Sequence, residues 1–363
     1  MNPDIKFFNA FNSIPGVGPA TLRLLKFRFG IFREAWFASE PALQEAGVET
    51  QPLQAILWKR PSLNPDQLMQ KLISENIWIL DCENPHFPSY LKEITNAPLA
   101  IYGRGKLENK FPALAVVGTR RPTHYGLEAC ENIVNTLALA GVAIVSGLAT
   151  GIDGRAHETA LDAKGYTVAV LGSGVDRNSI FPSEHVGLAR RIADAGGAVI
   201  SEYAPETPAT KEHFPARNRI ISGLSRGVLV IEAREKSGAL ITARFALEQN
   251  RDVFAVPGSI FSPTSQGPNR LIQEGAKLIR NAEDILEELG IEYNKITRER
   301  ALENMNENEM KILALLEEPL TVDAIKDKSV IATPVIIATL SMLELKGLVK
   351  NLGQGAYQKI SNA

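Results

Sequence analysis

Between Leu114 and about Arg280 one pattern repeats: a short apolar, β-branched run, then 10 to 17 residues with apolar positions at helical spacing. The runs are LAVVGT (114–119), VAIVSG (142–147), TVAVLG (167–172), AVISEY (198–203), GVLVIEA (227–233) and DVFAVPG (252–258). Strands apolar on both faces must be covered on both faces, so residues 85–290 are expected to form an α/β domain with a doubly wound parallel sheet. Upstream, residues 1–80 hold all three tryptophans, Trp36, Trp58 and Trp78, among short helical patterns broken by Pro and Gly, which predicts an N-terminal helical domain. Downstream, acids outnumber bases nine to three from Asn281 to Met310, which suits a terminal helix and an exposed connector, 291–306. Residues 307–363 then read helix (MKILALLEE), helix (TVDAIKD), longer helix (TPVIIATLSMLELKG) and hairpin (LVKNLGQGAYQKI), the order of a winged helix.

A chain of 363 residues is too long for one core of ordinary size, in keeping with several domains. Lys plus Arg number 39 and Asp plus Glu 41, a net charge of −2, so any basic site must be local. Cys82 and Cys130 fall in different predicted elements and no Cys/His cluster has metal-ligand spacing, which reads as reduced thiols in a cytoplasmic protein without structural zinc. MNPDIKFF lacks the basic and apolar regions of a signal peptide. No run of about 18 apolar residues occurs, so neither export nor a membrane span is expected.

Open α/β sheets bind ligands beyond the carboxyl ends of their strands. The segments there are GTRRPTHYG, SGLATGIDGRAH, GSGVDRNSIFP, SEYAPETPATKEHFPARNR, EAREKSGALITA and PGSIFSPTSQGPNR, and they hold nearly every distinctive polar residue of the domain. Small residues such as Ser146, Gly147 and Gly172 allow close backbone approach, and amides at helix starts favour phosphate oxygens. The dinucleotide fingerprint is missing, as is a P-loop; Arg120 and Arg121 stand where glycines would, suiting a phosphate that needs neutralising. Asp153 reads as a helix cap or loop brace, His157 as a packed helix histidine and His213 as a solvated one. Glu202 and Glu232 end strands at this edge and are the only acids placed for hydrolysis. Residues 211–219, KEHFPARNR, set Lys211, His213, Arg217 and Arg219 around Phe214, with Asn218 between the arginines. Cations for phosphates and a ring for an unpaired base describe a single-strand site. The alternative is a ring that plugs the sheet beside arginines capping the next helix.

VVGTRRPTHYG, VSGLATGIDGRAHETAL, LGSGVDRNSIFPSEH, HFPARNRIISGLSRGVLVIEA, SGALITARFALEQNRDVFAVPGS and SQGPNRLIQEGA, in this order across residues 85–280, resemble the DNA-processing protein A (DprA/Smf) family. The resemblance implies an extended Rossmann-like fold that binds single-stranded DNA without sequence preference, forms a homodimer, and helps load the RecA recombinase in recombination and natural transformation. It implies no cofactor and no established catalysis. The family's DNA pocket carries over to Arg120, Lys211 and Phe214. IPGVG (14–18) is similar to a helix-hairpin-helix turn, although only Arg23 follows it closely. An enzyme reading is a phosphoribohydrolase-like Rossmann protein acting on nucleoside monophosphates, but its PGGxGTxxE segment is replaced here by EAREKSGALITARFALE. A winged-helix transcription factor is disfavoured by a longest helix with one lysine and no arginine.

Overall fold

The structure is a computed structural model describing residues 2–291, 305–329, 331–345, 348–353 and 355–359. Most of the acidic connector, 292–304, lies outside the described residues. The chain divides into two compact units, one of residues 1–138 and 142–282, the other of residues 139–141 and 283–363.

The first unit is built on a nine-stranded sheet: β1 (Trp78–Asp81), β2 (Ala100–Gly105), β3 (Ala113–Val117), β4 (Ala143–Ser146), β5 (Thr167–Leu171), β6 (Ala198–Ser201), β7 (Gly227–Val230), β8 (Asp252–Ala255) and β9 (Lys277–Leu278). Their spatial order is β1-β2-β6-β5-β4-β3-β7-β8-β9. From β6 to β9 all neighbours run parallel, with registers such as Ala115 opposite both Val145 and Val228. The six apolar runs are six of these strands. The departures from the pattern lie at the edges, where β2 pairs antiparallel with β6 and β1 antiparallel with β2. β2 ends Gly-Arg-Gly and three of the four β1 residues are only half-buried, so neither carries the two-faced apolar signature of a central strand.

Sheet and N-terminal helices share a core. Phe11, Leu25, Leu43 and Ile56 belong to the same buried cluster as Leu171, Val175 and Ile192 on one side of the sheet. Leu91, Val117, Val145, Val230 and Ala243 fill the other. Polar bonds index the helices on the strands: the Tyr102 hydroxyl donates to Asn9 Oδ1 at 2.9 Å, and Asn12 Nδ2 donates to the Glu202 carbonyl at 3.0 Å. The change of texture near residue 80 is thus a change of element type within one compact unit.

In the second unit, helices Glu307–Leu315, Val322–Lys328 and Thr333–Leu345 accompany strands Leu320–Thr321, Val349–Gly353 and Ala356–Lys359, the element order of a winged helix. Asn306 and Glu309 close a reciprocal capping box on the first helix. Ile312, Leu316, Ile325, Ile336 and Leu340 form its core. The third helix carries no Lys or Arg and exposes Val335, Ile337 and Met342.

Candidate nucleic-acid interface

Strand order reverses between β3 and β7, and there a cavity of about 220 Å³ opens at the carboxyl edge, among the loops after β3 and β4 and the helices His213–Gly223 and Gly238–Glu248. Its two loops are locked together at Gly151. That residue has φ 80°, and a Cβ there would stand 2.4 Å from the Thr119 carbonyl oxygen and 2.8 Å from the Arg120 carbonyl carbon. The backbone bearing Arg120 is thereby held against the start of the helix Ile152–Asp162.

Two buried charged groups, Arg217 and Asp153, line the cavity. Arg217 donates through Nη1 to the Gly147 carbonyl at 2.6 Å and to the Val170 carbonyl, while Asp153 Oδ2 accepts from the Gly147 amide at 3.2 Å. Burial lowers the Arg217 pKa to about 10, Asp153 opposing the shift, so the guanidinium keeps its charge at neutral pH. Burial likewise raises the Asp153 carboxyl, against Arg217 and the amides of Ala149, Gly147 and Gly118. Gly147 leaves room for the guanidinium, since a Cβ would lie 2.5 Å from Arg217 Nη2.

Above these groups the surface carries an aromatic ledge. Phe214 is half-buried, with the Arg120 guanidinium 5.3 Å from its ring centre and the Phe181 ring 5.8 Å away at 48°. Gly172 supports Phe214 from beneath: a Cβ there would meet Cδ1 at 3.3 Å. His213 stacks on Tyr203 with ring centres 4.0 Å apart and places Nδ1 3.1 Å from the Gly172 carbonyl, so it steers the loop into position. Lys211, Arg120 and Arg121 are exposed.

The ten residues singled out from the sequence therefore separate by role. Arg120, Arg121, Lys211 and Phe214 reach the surface. Gly147 and Gly172 make room for Arg217 and Phe214, and Arg217 and Asn218 line the cavity as buried groups, Asn218 Nδ2 donating to the Gly238 carbonyl at 3.1 Å. Ser146 and Arg219 face the interior. The Ser146 hydroxyl donates to the Val116 carbonyl at 2.6 Å, and Arg219 Nη2 bonds both oxygens of Glu202, at 2.6 and 2.7 Å. Phe181, 50% exposed, was not singled out; its only sequence signal is an aromatic next to proline in the loop after β5.

The acids at this edge are engaged. Glu202 is held by Arg219, while Glu232, 1% exposed, accepts from the Thr123 amide and hydroxyl at 2.8 Å each and from the Thr264 hydroxyl at 2.6 Å. His157 is fully buried and lowered to about 3, chiefly by burial. Among the described residues no group of three or more His, Cys, Asp or Glu could hold a metal ion, and no helix is long and apolar enough to cross a membrane.

Comparison with known proteins adds a family. The model for DNA recombination-mediator protein A matches residues 78–290. Protein Smf of Synechocystis is 35% identical over an alignment covering 99% of both chains. The X-ray structure of DNA processing protein A from Streptococcus pneumoniae superposes with a TM-score of 0.66 at 34% identity, over 78% of this chain and 97% of that one. A second structure, of DNA processing protein A from Helicobacter pylori, is described by its single-stranded DNA binding mode; it covers 59% of this chain and 95% of its own, with TM-score 0.53 and 30% identity.

Proposed function

Because the chain belongs to the DNA recombination-mediator protein A family, we propose that it binds single-stranded DNA without sequence preference at the carboxyl edge of its sheet, protects the strand, and passes it to the RecA recombinase. The observation that carries this reading is Arg120 poised 5.3 Å from the half-buried ring of Phe214. A base can stack on the open part of the ring while Arg120, Arg121 and Lys211 take phosphates, and every base offers a π-face, so such a contact reads no sequence. Duplex DNA keeps those faces inside the stack. The buried Arg217 anchors the helix that carries Phe214 through the Gly147 and Val170 carbonyls without needing to touch the strand.

A binding role fits this edge better than hydrolysis. A phosphoribohydrolase would need an acid open to substrate, and the carboxylates of Glu202 and Glu232 are already bonded inside the fold. We place the protein in the cytoplasm, as a homodimer that uses the apolar helices after Ser237 and Gln266. Titrating labelled oligo-dT against duplex of equal length, while following the mass of the complex, tests the proposal. A strong preference for the single strand is expected, and a preference for the duplex would overturn it. In a RecA assembly assay on a coated strand, the chain is expected to shorten the lag.

A further inference from the structure

A second cavity, of about 230 Å³, lies at the opposite, amino edge of the sheet. Topology creates it. β2 pairs with β6, whereas β3 sits beyond β5 and β4, so residues 106–112 must cross beneath the amino ends of three strands. This strap is tied at each step. The Lys106 amide donates to the Gly197 carbonyl before β6 at 2.9 Å, and the Tyr166 hydroxyl, before β5, donates to the Lys106 carbonyl at 2.9 Å and accepts from the Glu108 amide at 2.8 Å. The Ala143 amide, opening β4, then donates to the Pro112 carbonyl at 2.8 Å. The space under the strap is therefore built rather than left over.

Its lining is apolar and aromatic below and basic at the surface. Leu107, Val145, Val168 and Leu224 line it together with the rings of Tyr90, Phe111 and Tyr166. Phe111 and Tyr166 lie 5.1 Å apart at 30°. Lys110 Nζ stands 4.9 Å from the Phe111 ring centre, and the Arg251 guanidinium 4.4 Å from that of Tyr90. Lys110 and Arg226 are exposed lining residues. Glu108 bridges Lys106 at 2.5 Å and Lys110 at 2.6 Å, and Glu93 meets Arg251 at 3.3 Å.

We propose that this cavity is a mononucleotide site, taking one base among Tyr90, Phe111 and Leu224 and its phosphate at Lys110 and Arg226. The volume is below the roughly 300–1,000 Å³ of sites for drug-sized ligands, which suits a single ring system. Helices of a parallel sheet point their carboxyl ends at this edge, and the negative ends of their dipoles oppose a bare anion. Ring stacking must therefore supply the affinity, with Lys110 and Arg226 offsetting the phosphate charge. The same group could come from a free nucleotide or from the 5′ end of a strand. The inference is independent of the strand-binding reading, because the two sites lie at opposite edges of the sheet.

The test is calorimetric titration of the full chain with AMP. Saturable binding is expected, weakened at least tenfold by Phe111→Ala and by Lys110→Glu, untouched by Phe214→Ala, and not displaced by inorganic phosphate. Lys110 is exposed, so its variant reports even if Phe111→Ala fails to fold. Displacement of AMP by 5′-phosphorylated oligo-dT alone would identify a strand end as the source, and no displacement by either oligonucleotide a free nucleotide. Absence of saturable binding, equal displacement by phosphorylated and 5′-hydroxyl oligo-dT, or loss of binding in Phe214→Ala would overturn the proposal.

Discussion

Phe214 is where stacking and packing part company. Its ring is half-buried, Arg120 stands near it, and Gly172 lies beneath it. Phe214→Ala is therefore expected to cost about 1 to 3 kcal/mol of single-strand binding while the melting temperature barely moves. A core ring would instead cost roughly 3 to 5 kcal/mol of stability, a result that thermal melting would expose at once. Phe181→Ala should weaken binding in the same sense if the second ring extends the ledge. Arg120→Ala should weaken binding to all sequences alike and flatten its dependence on salt by about 0.7 log units for the lost phosphate contact. Arg120 and Lys211 could be picked from the sequence as loop cations, Arg120 because it stands where a dinucleotide-binding loop carries glycine and Lys211 because it lies three positions from Phe214. Arg219 looked equivalent in the same nine residues, and its ion pair with Glu202 could not be seen, since the partner lies 17 positions earlier, at the end of another element.

At the scale of elements, the helices are fastened by buried polar bonds whose loss should register as stability rather than binding. Arg219 ties the helix His213–Gly223 to the end of β6. Arg219→Ala would strand Glu202 as a buried, unpaired carboxylate, at an expected cost of about 3 to 5 kcal/mol, with the folded fraction still binding oligo-dT normally. His157 fastens the helix Ile152–Asp162 to β5: the Thr167 hydroxyl donates to the Ile144 carbonyl at 2.7 Å and so must accept from His157 Nδ1, also at 2.7 Å. Its pKa is lowered to about 3 from an ordinary 6.5. Between those values the unfolded chain binds a proton that the folded one refuses, so stability rises with pH across this window and is lost as pH falls below 6.5. The contribution is at most about 1.4 kcal/mol per pH unit, and His157→Gln should flatten the melting temperature over pH 4 to 6.5. An unchanged slope in that variant would show that other groups carry the acid sensitivity.

At the scale of the whole molecule, a net charge of −2 means that attraction to DNA rests on local cations. The proposed homodimer predicts a sedimentation mass near twice 39.6 kDa. Leu247→Asp, at a position 62% exposed on the helix Gly238–Glu248, should shift the mass toward the monomer if that face pairs. The parallel sheet was legible in the chain because strands covered on both faces must be apolar at every position, as β3 and β7 are, and that signal needs no partner to be read. The winged-helix order was legible for a related reason, since short helices and a hairpin announce themselves through local spacing and turn residues. What folding alone decided were the pairings between distant positions. β2 became an antiparallel edge beside β6, Asn9 and Asn12 docked the N-terminal helices onto the sheet, and residues 106–112 became a strap over a second cavity. Hydrophobic periodicity records which face of an element is buried, but not against what. A hydrogen bond or ion pair between groups far apart in the chain leaves no periodic trace, and for that reason Arg120 could be read as an exposed loop cation from its surroundings in sequence while Arg219 could be placed inside the fold only from its surroundings in space.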